Sequence, residues 1–148
     1  MPSIRQIIDI HAPQADLFHL TQDYRRRLEW DPFLREARLL DGADEAAVGA
    51  RAWCVAWCGL GMETEYITFK PCSVTAVRMT EGPSFLANFA GSWRFEAIGD
   101  QTTRVIFCYV IRPSWFCRFL GPLLRMAFQF DMRRRLLALK RFCETQPA

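Results

Sequence analysis

Histidine is scarce in this 148-residue chain: His11 and His19 are the only two, and both lie far in sequence from any cysteine cluster. A zinc centre is therefore a poor reading, and there is no paired CxxC; neither metal nor cofactor is expected. A surplus of charge is also lacking. Nineteen Lys and Arg against sixteen Asp and Glu leave a formal +3. That is too near balance for charge alone to suggest a nucleic-acid binder, and no nucleic acid is expected as a partner. No uninterrupted apolar run approaches the ~18 residues of a membrane-spanning helix, because Arg118 and Arg125 break up the most apolar segment. Met1 to Ile10 has neither a basic start nor a long apolar stretch, so no secretory signal is read there and the expected location is cytoplasmic. The six cysteines are even in number, yet a chain of this size can do without disulfides. They are read as reduced, buried, small apolar residues.

Aromatic residues are plentiful. They make up 14% of the chain, with twelve Phe and five Trp, within an ordinary 51% hydrophobic and 24% charged composition. The length fits a single domain over residues 1–148. A domain this small can hold a core rich in rings or a ring-lined cavity, and composition does not separate the two.

Periodicity lays out the elements. Ile4 to His11 alternates as a strand and Pro13 ends it, opening a helix with Leu17, Phe18 and Leu20 on its apolar side. A second short helical piece, Asp23 to Leu28, is expected to stop before Trp30-Asp31-Pro32, since proline disfavours the helical region for Asp31. Strand-like segments follow at Arg35–Asp41, Arg51–Trp57, Met62–Lys70, Val74–Thr80, Phe85–Ile98 and Thr102–Arg112, with turn signals between them such as Gly99-Asp100. Their short spacing implies antiparallel hairpins. After a turn through Trp115–Leu120, a helix is expected from Pro122 to about Glu144. Its length of roughly 35 Å would cross the whole face of a curved sheet.

That helix carries two apolar stripes. Leu124, Phe128, Met132, Leu139 and Phe142 form one; Leu123, Met126, Ala127, Phe130 and Leu137 form another about a third of a turn away. Two stripes predict burial on more than one side. Asp131 and Arg135, four apart within the first stripe, read either as a surface ion pair or as a polar pair facing an apolar cavity.

The order strand, two short helices, six strands, long helix resembles the START-like, Bet v 1-like (SRPBCC) helix-grip superfamily, which includes polyketide cyclases/dehydrases and lipid-transfer domains. Local matches accompany it: Ala12-Pro13 before a Leu-Phe helix, Asp23 with Trp30 seven residues on, and Val48-Gly49. Pro71 after a strand, Gly91-Ser92-Trp93-Arg94-Phe95, and the closing Leu-Lys-Arg-Phe-Cys-Glu extend them. The resemblance implies an α+β helix-grip fold, a curved antiparallel sheet of about seven strands wrapped around the C-terminal helix and enclosing an elongated apolar cavity.

Residues that would line such a cavity are named from the strand faces. Charged neighbours belong in water, so Trp93, Phe95, Phe107 and Tyr109 are expected inward. If Glu63 and Glu65 face water, Tyr66 presents its phenol to the interior while Ile67 and Phe69 point out. Trp30, Phe89, Leu124, Phe128, Asp131, Met132 and Arg135 complete the candidate ligand-binding set. In the strand Ala50 to Cys58, small residues (Ala50, Ala52, Cys54, Ala56) oppose larger ones (Arg51, Trp53, Val55, Trp57), and either face can be the inner one. Small residues inward would leave ligand space and expose Trp53 and Trp57 as a partner surface, with a homodimer as one outcome.

Charge is uneven along the chain. Residues 113–148 hold seven basic and two acidic groups, whereas residues 1–48 hold six and nine. The basic end reads as a solvated helix with snorkelling side chains, or as a docking surface for an anionic membrane or RNA. The leading functional expectation is binding of a hydrophobic small molecule, whether lipid, quinone or aromatic polyketide. A polyketide cyclase/dehydrase using Tyr66, Tyr109 or the Asp131/Arg135 pair is the alternative, and an interaction module with a filled core is the third.

Overall fold

The computed structural model describes residues 3–145. Strand β1 (Ser3–Ile10) leads into helices α1 (Gln14–Gln22) and α2 (Arg27–Trp30). Strands β2 (Leu34–Leu39), β3 (Arg51–Ala56), β4 (Gly61–Lys70), β5 (Val74–Glu81), β6 (Leu86–Ala97) and β7 (Thr103–Pro113) follow. A 3-10 turn, Trp115–Leu120, then precedes α3 (Gly121–Thr145). All seven strands join one sheet in the order β1-β7-β6-β5-β4-β3-β2. Every neighbouring pair is antiparallel. Strands β2 to β7 thus form a continuous meander, and β1 closes on its far edge against β7. The sheet curls into a half-barrel with α3 along its concave side: the α+β helix-grip fold.

The register of β6 on β7 builds the floor of this half-barrel. Trp93 lies opposite Phe107, Phe95 opposite Val105 and Gly91 opposite Tyr109. Cross-strand neighbours on one face pack together, and the Trp93 and Phe107 rings stack 4.0 Å apart at 12°. Gly91 has a specific role there, because a Cβ on it would lie 3.1 Å from the Tyr109 ring. The missing side chain lets that ring lie flat across β6. Ile4, Ile10, Leu17, Phe18, Phe95, Val105, Met132, Leu136 and Leu139 are among the most deeply buried residues of the core, between α1, β1, β6, β7 and the C-terminal half of α3.

Three sequence expectations change, and one question left open is decided. Helix α2 continues through Trp30 instead of stopping before it, and the chain turns extended only at Asp31 (φ −92°, ψ 106°). In β4 the register slips between Tyr66 and Thr68. The extra residue of such a bulge reverses the alternation beyond it. Ile67 stays outward and exposed, as expected, while Phe69 turns inward, its ring 5.6 Å from Tyr66 and 5.4 Å from Phe18. The second stripe of α3 is not buried: Leu123, Met126, Ala127, Phe130 and Leu137 all face outward. The sheet grips α3 from one side, and no other element of the described chain covers its back. Finally, β3 turns its small residues inward, with Ala52 and Ala56 buried. Trp53 lies on the outer face, half-buried over Gly61, and Trp57 is exposed at the end of the strand.

Candidate ligand cavity

Between the concave sheet and the N-terminal half of α3 lies a cavity of about 420 Å³, within the range of small-molecule sites. Its walls follow from the elements above. β6 and β7 supply Phe89, Trp93, Phe107 and Tyr109; β4 supplies Met62, Thr64 and Tyr66; β3 supplies Cys54 and Ala56; α3 supplies Leu124, Ala127, Phe128, Asp131 and Arg135. The small inner face of β3 is what leaves the space open there. Leu60, Trp57, Phe85 and Phe130 also line it and are themselves partly or largely exposed. A second, more polar groove, between α1 and the β2 side of the sheet, is separate in character, lined by His19, Asp23, Arg25, Arg38 and Asp44 among others.

Charge is buried beside this apolar chamber. The Asp31 carboxylate, 2% exposed, accepts from Arg27 Nε at 3.0 Å and from Arg135 Nη2 at 2.9 Å. Arg135 Nε adds bonds of 3.1 and 3.2 Å to the two carboxylate oxygens. Arg27 Nη1 donates to the Thr21 carbonyl at 3.1 Å. Both guanidiniums also lie against rings: Arg135 is 5.1 Å from Phe33 and 5.2 Å from Phe107, and Arg27 is 5.1 Å from Trp30. Burial alone would raise the Asp31 carboxyl, but the Arg135 and Arg27 charges outweigh it and hold the carboxyl below its ordinary value. Burial likewise opposes charge on Arg135, and Asp31 overcomes that opposition. Two cations against one anion leave the cluster with a net positive charge, facing the cavity through Arg27 and Arg135.

Three phenols meet this region. Tyr24 and Tyr66 share a hydroxyl–hydroxyl bond of 3.1 Å, and Tyr66 donates to Gln22 Oε1 at 2.7 Å. With Tyr24 donating to Tyr66, both protons have acceptors. Tyr109 differs. Its oxygen accepts from Arg135 Nη1, and its own O–H has no acceptor among the described residues. Burial pushes the Tyr66 phenol up to about 12 and raises Tyr24 and Tyr109 as well. All three remain neutral donors near neutral pH. Asp131 is different again: half-buried on the cavity wall, its carboxyl is raised by burial against the lowering pull of Arg135 and Arg134.

Of the twelve residues singled out from sequence, Tyr66, Phe89, Trp93, Phe107, Tyr109, Leu124, Phe128, Asp131 and Arg135 line the cavity. Trp30, Phe95 and Met132 lie outside it, packed in the core. Phe95 is held between Phe18 and Trp93. Met132 points beneath the helix into the dense end of the core. Trp30 meets Trp93 edge-on at 6.1 Å, and its buried Nε1 has no hydrogen-bond partner among the described residues. The Asp131/Arg135 pairing does not form; Arg135 turns to Asp31 instead. Sequence reading passed over Arg27, Asp31, Gln22 and Tyr24. One local signal was present: Arg27 and Asp31 are spaced i,i+4, and Asp31 sits in the apolar phrase Trp30-Asp31-Pro32-Phe33.

A curled antiparallel sheet gripping a long helix over a ring-lined chamber defines a START-like (SRPBCC) protein, a fold built to enclose hydrophobic ligands. The chain belongs to the family described as polyketide cyclase / dehydrase and lipid transport, whose model matches residues 1–144. No curated protein matches it significantly in sequence. Among solved structures it is similar to the Zhui aromatase/cyclase from Streptomyces sp. R1128, at 15% identity and TM-score 0.80 over 97% of this chain and 93% of that one. It also matches the di-domain ARO/CYC BexL, from the BE-7585A biosynthetic pathway, at 17% identity and TM-score 0.82; 99% of this chain matches 48% of that chain. A truncated norcoclaurine synthase from Thalictrum flavum matches at 11% identity and TM-score 0.75, over 99% of this chain and 95% of that one. At these identities the likeness is one of fold.

Proposed function

We propose that the protein binds a hydrophobic small molecule, a lipid, quinone or aromatic polyketide, with its apolar body among Phe89, Phe107, Leu124 and Phe128 and one oxygen at Tyr109. The observation that carries this reading is a chamber of about 420 Å³ walled by rings, one of them the Tyr109 phenol, whose O–H has no acceptor among the described residues. Each ~100 Å² of ligand apolar area buried there would contribute roughly 2.5 kcal/mol before the costs of ordering the ligand. The Tyr109 O–H would select a carbonyl, phenol or carboxylate oxygen. The net positive charge of Arg27, Asp31 and Arg135 favours one that carries or develops negative charge.

Native mass spectrometry of freshly purified protein, followed by solvent extraction, tests this. A bound species of defined mass is expected. Tyr109→Phe should weaken an oxygen-bearing ligand by about 2- to 10-fold, the value of one hydrogen bond, and leave a pure hydrocarbon probe unaffected. A bare protein that also ignores a panel of lipids, quinones and polyphenols sinks the reading.

A cyclase/dehydrase activity is the second reading, favoured by Asp131. A carboxyl raised by partial burial on a cavity wall suits proton transfer to or from a ketone-bearing chain. The tyrosines, held neutral, would polarise carbonyls and not act as bases. Asp131→Asn that leaves the product distribution of a presented polyketone unchanged would count against it.

A further inference from the structure

We infer that the outward face of the 3-10 turn and α3 is a docking surface for an anionic lipid bilayer. The large apolar side chains left in water concentrate there. Trp115 is 82% exposed, Phe119 79%, Phe130 70%, Met126 65% and Leu123 62%. On α3, Leu123, Met126 and Phe130 share the side opposite Met132, Leu136 and Leu139, which face the core. The 3-10 turn ends at Leu120 and α3 begins at Gly121, so Phe119 precedes Leu123 by four residues. Isolated exposed apolar residues need no explanation, but a continuous ridge of aromatics and Met does.

Charge decides the occupant. From residue 113 to residue 143 the chain has seven basic groups and a single acid, Asp131. That acid is half-buried on the cavity wall. Arg135 is taken by Asp31 and Lys140 by Glu144. Arg118, Arg125, Arg133 and Arg141 have no carboxylate partner among the described residues. Of these, Arg118 sits in the 3-10 turn and Arg133 on the exposed side of α3 beside Phe130, whereas Arg125 lies toward the side of Met132 and Leu136. Rings and Met set beside unpaired Arg118 and Arg133, with no exposed carboxylate between them, are the chemistry of an element lying in the interface of an anionic membrane. No helix of the described residues is long and apolar enough to cross a bilayer, so contact would be peripheral.

The ridge is continuous with the cavity. Phe130 and Ala127 face outward and also line the chamber, beside the exposed rim residues Trp57 and Leu60. Docking by this face would set the cavity mouth against the acyl region, and a hydrophobic ligand could enter or leave without crossing water. That last step rests on the ligand-binding reading above; docking itself does not.

Vesicle flotation of the full chain tests docking, with phosphatidylcholine vesicles compared with vesicles that also contain phosphatidylglycerol. The protein should float with the anionic vesicles only, and less as salt rises. Arg118→Ser with Arg133→Ser should weaken binding about 25-fold, at about 5-fold for each basic group near the surface. Trp115→Ser with Phe119→Ser should abolish flotation and leave circular dichroism unchanged, since both side chains are mostly in water. Failure to float, or flotation indifferent to both double variants, overturns the proposal. So does a solution dimer, seen by sedimentation, that Trp115→Ser with Phe119→Ser makes monomeric; the ridge would then be a contact between copies. None of the four substituted residues lines the cavity, so ligand retained by these variants in native mass spectrometry separates the fate of docking from that of ligand binding.

Discussion

Replacing Asp31 by Asn keeps the side chain's shape and removes one charge from the most polar point of the interior. The carboxylate now holds two guanidiniums, at 3.0 and 2.9 Å, and Asp31, Arg27 and Arg135 are each less than a tenth exposed. Breaking a buried pair from one side typically costs about 3–5 kcal/mol, because the partner charge stays buried without compensation. Here two partners are stranded at once. A domain of this size holds roughly 5–15 kcal/mol in total, so Asp31→Asn should lower Tm by about 10–15 °C. Urea unfolding at neutral pH followed by tryptophan fluorescence reads the loss directly. Replacing all three together (Arg27→Met, Asp31→Leu, Arg135→Met) should restore most of it, since the penalty comes from uncompensated charge and not from lost volume. The effect also has a pH signature. Asp31 has a folded-state carboxyl held below its ordinary value, so its contribution is fully present above the unfolded value near about 4. It fades as pH falls through the lower folded value. The gap between wild type and Asp31→Asn should therefore close in acid. A loss under about 1 kcal/mol at neutral pH, or a gap that widens in acid, would refute the reasoning; cavity water would then be solvating the arginines.

Two further predictions follow from local geometry. A Cβ on Gly61 would sit 2.5 Å from the Trp53 ring, so Gly61→Ala should cost about 1–3 kcal/mol by overpacking. Adding Trp53→Ala should relieve most of that cost in a thermal-denaturation cycle. Cys54 and Cys58 both line the cavity, but Cys58 is exposed while burial raises the Cys54 thiol. Iodoacetamide with peptide mass mapping should label Cys58 first and Cys54 slowly, and bound ligand should slow Cys54 further. Equal labelling of the two in the free protein would mean that the chamber is open to reagent at Cys54.

Alternation along β6 and β7 was enough to turn Trp93, Phe95, Phe107 and Tyr109 inward, because flanking Arg and Glu leave only one face that can be buried. The same logic on β4 succeeded up to Tyr66 and failed at Phe69. A bulge costs one residue of register and leaves no mark in the pattern of residue types. In β3 the inner face was undecided because neither face carried enough charge to settle it; the curl of the sheet selected the small residues.

The amino-acid sequence by itself determined the element order and most of the rings around the cavity, since these follow from hydrophobic period and turn residues, which are local. The helix-grip class followed from the resemblance of that order and its local phrases to a known superfamily. Tertiary structure alone decided what those elements face. α3 carries two apolar stripes that look equivalent in one dimension, yet a single curled sheet can cover only one side of a helix, so Leu123, Met126 and Phe130 were left outside. Arg135 chose Asp31, 104 residues away, over Asp131, one turn away. Burial makes an unpaired charge so costly that the nearest available carboxylate in space prevails over the nearest in the chain.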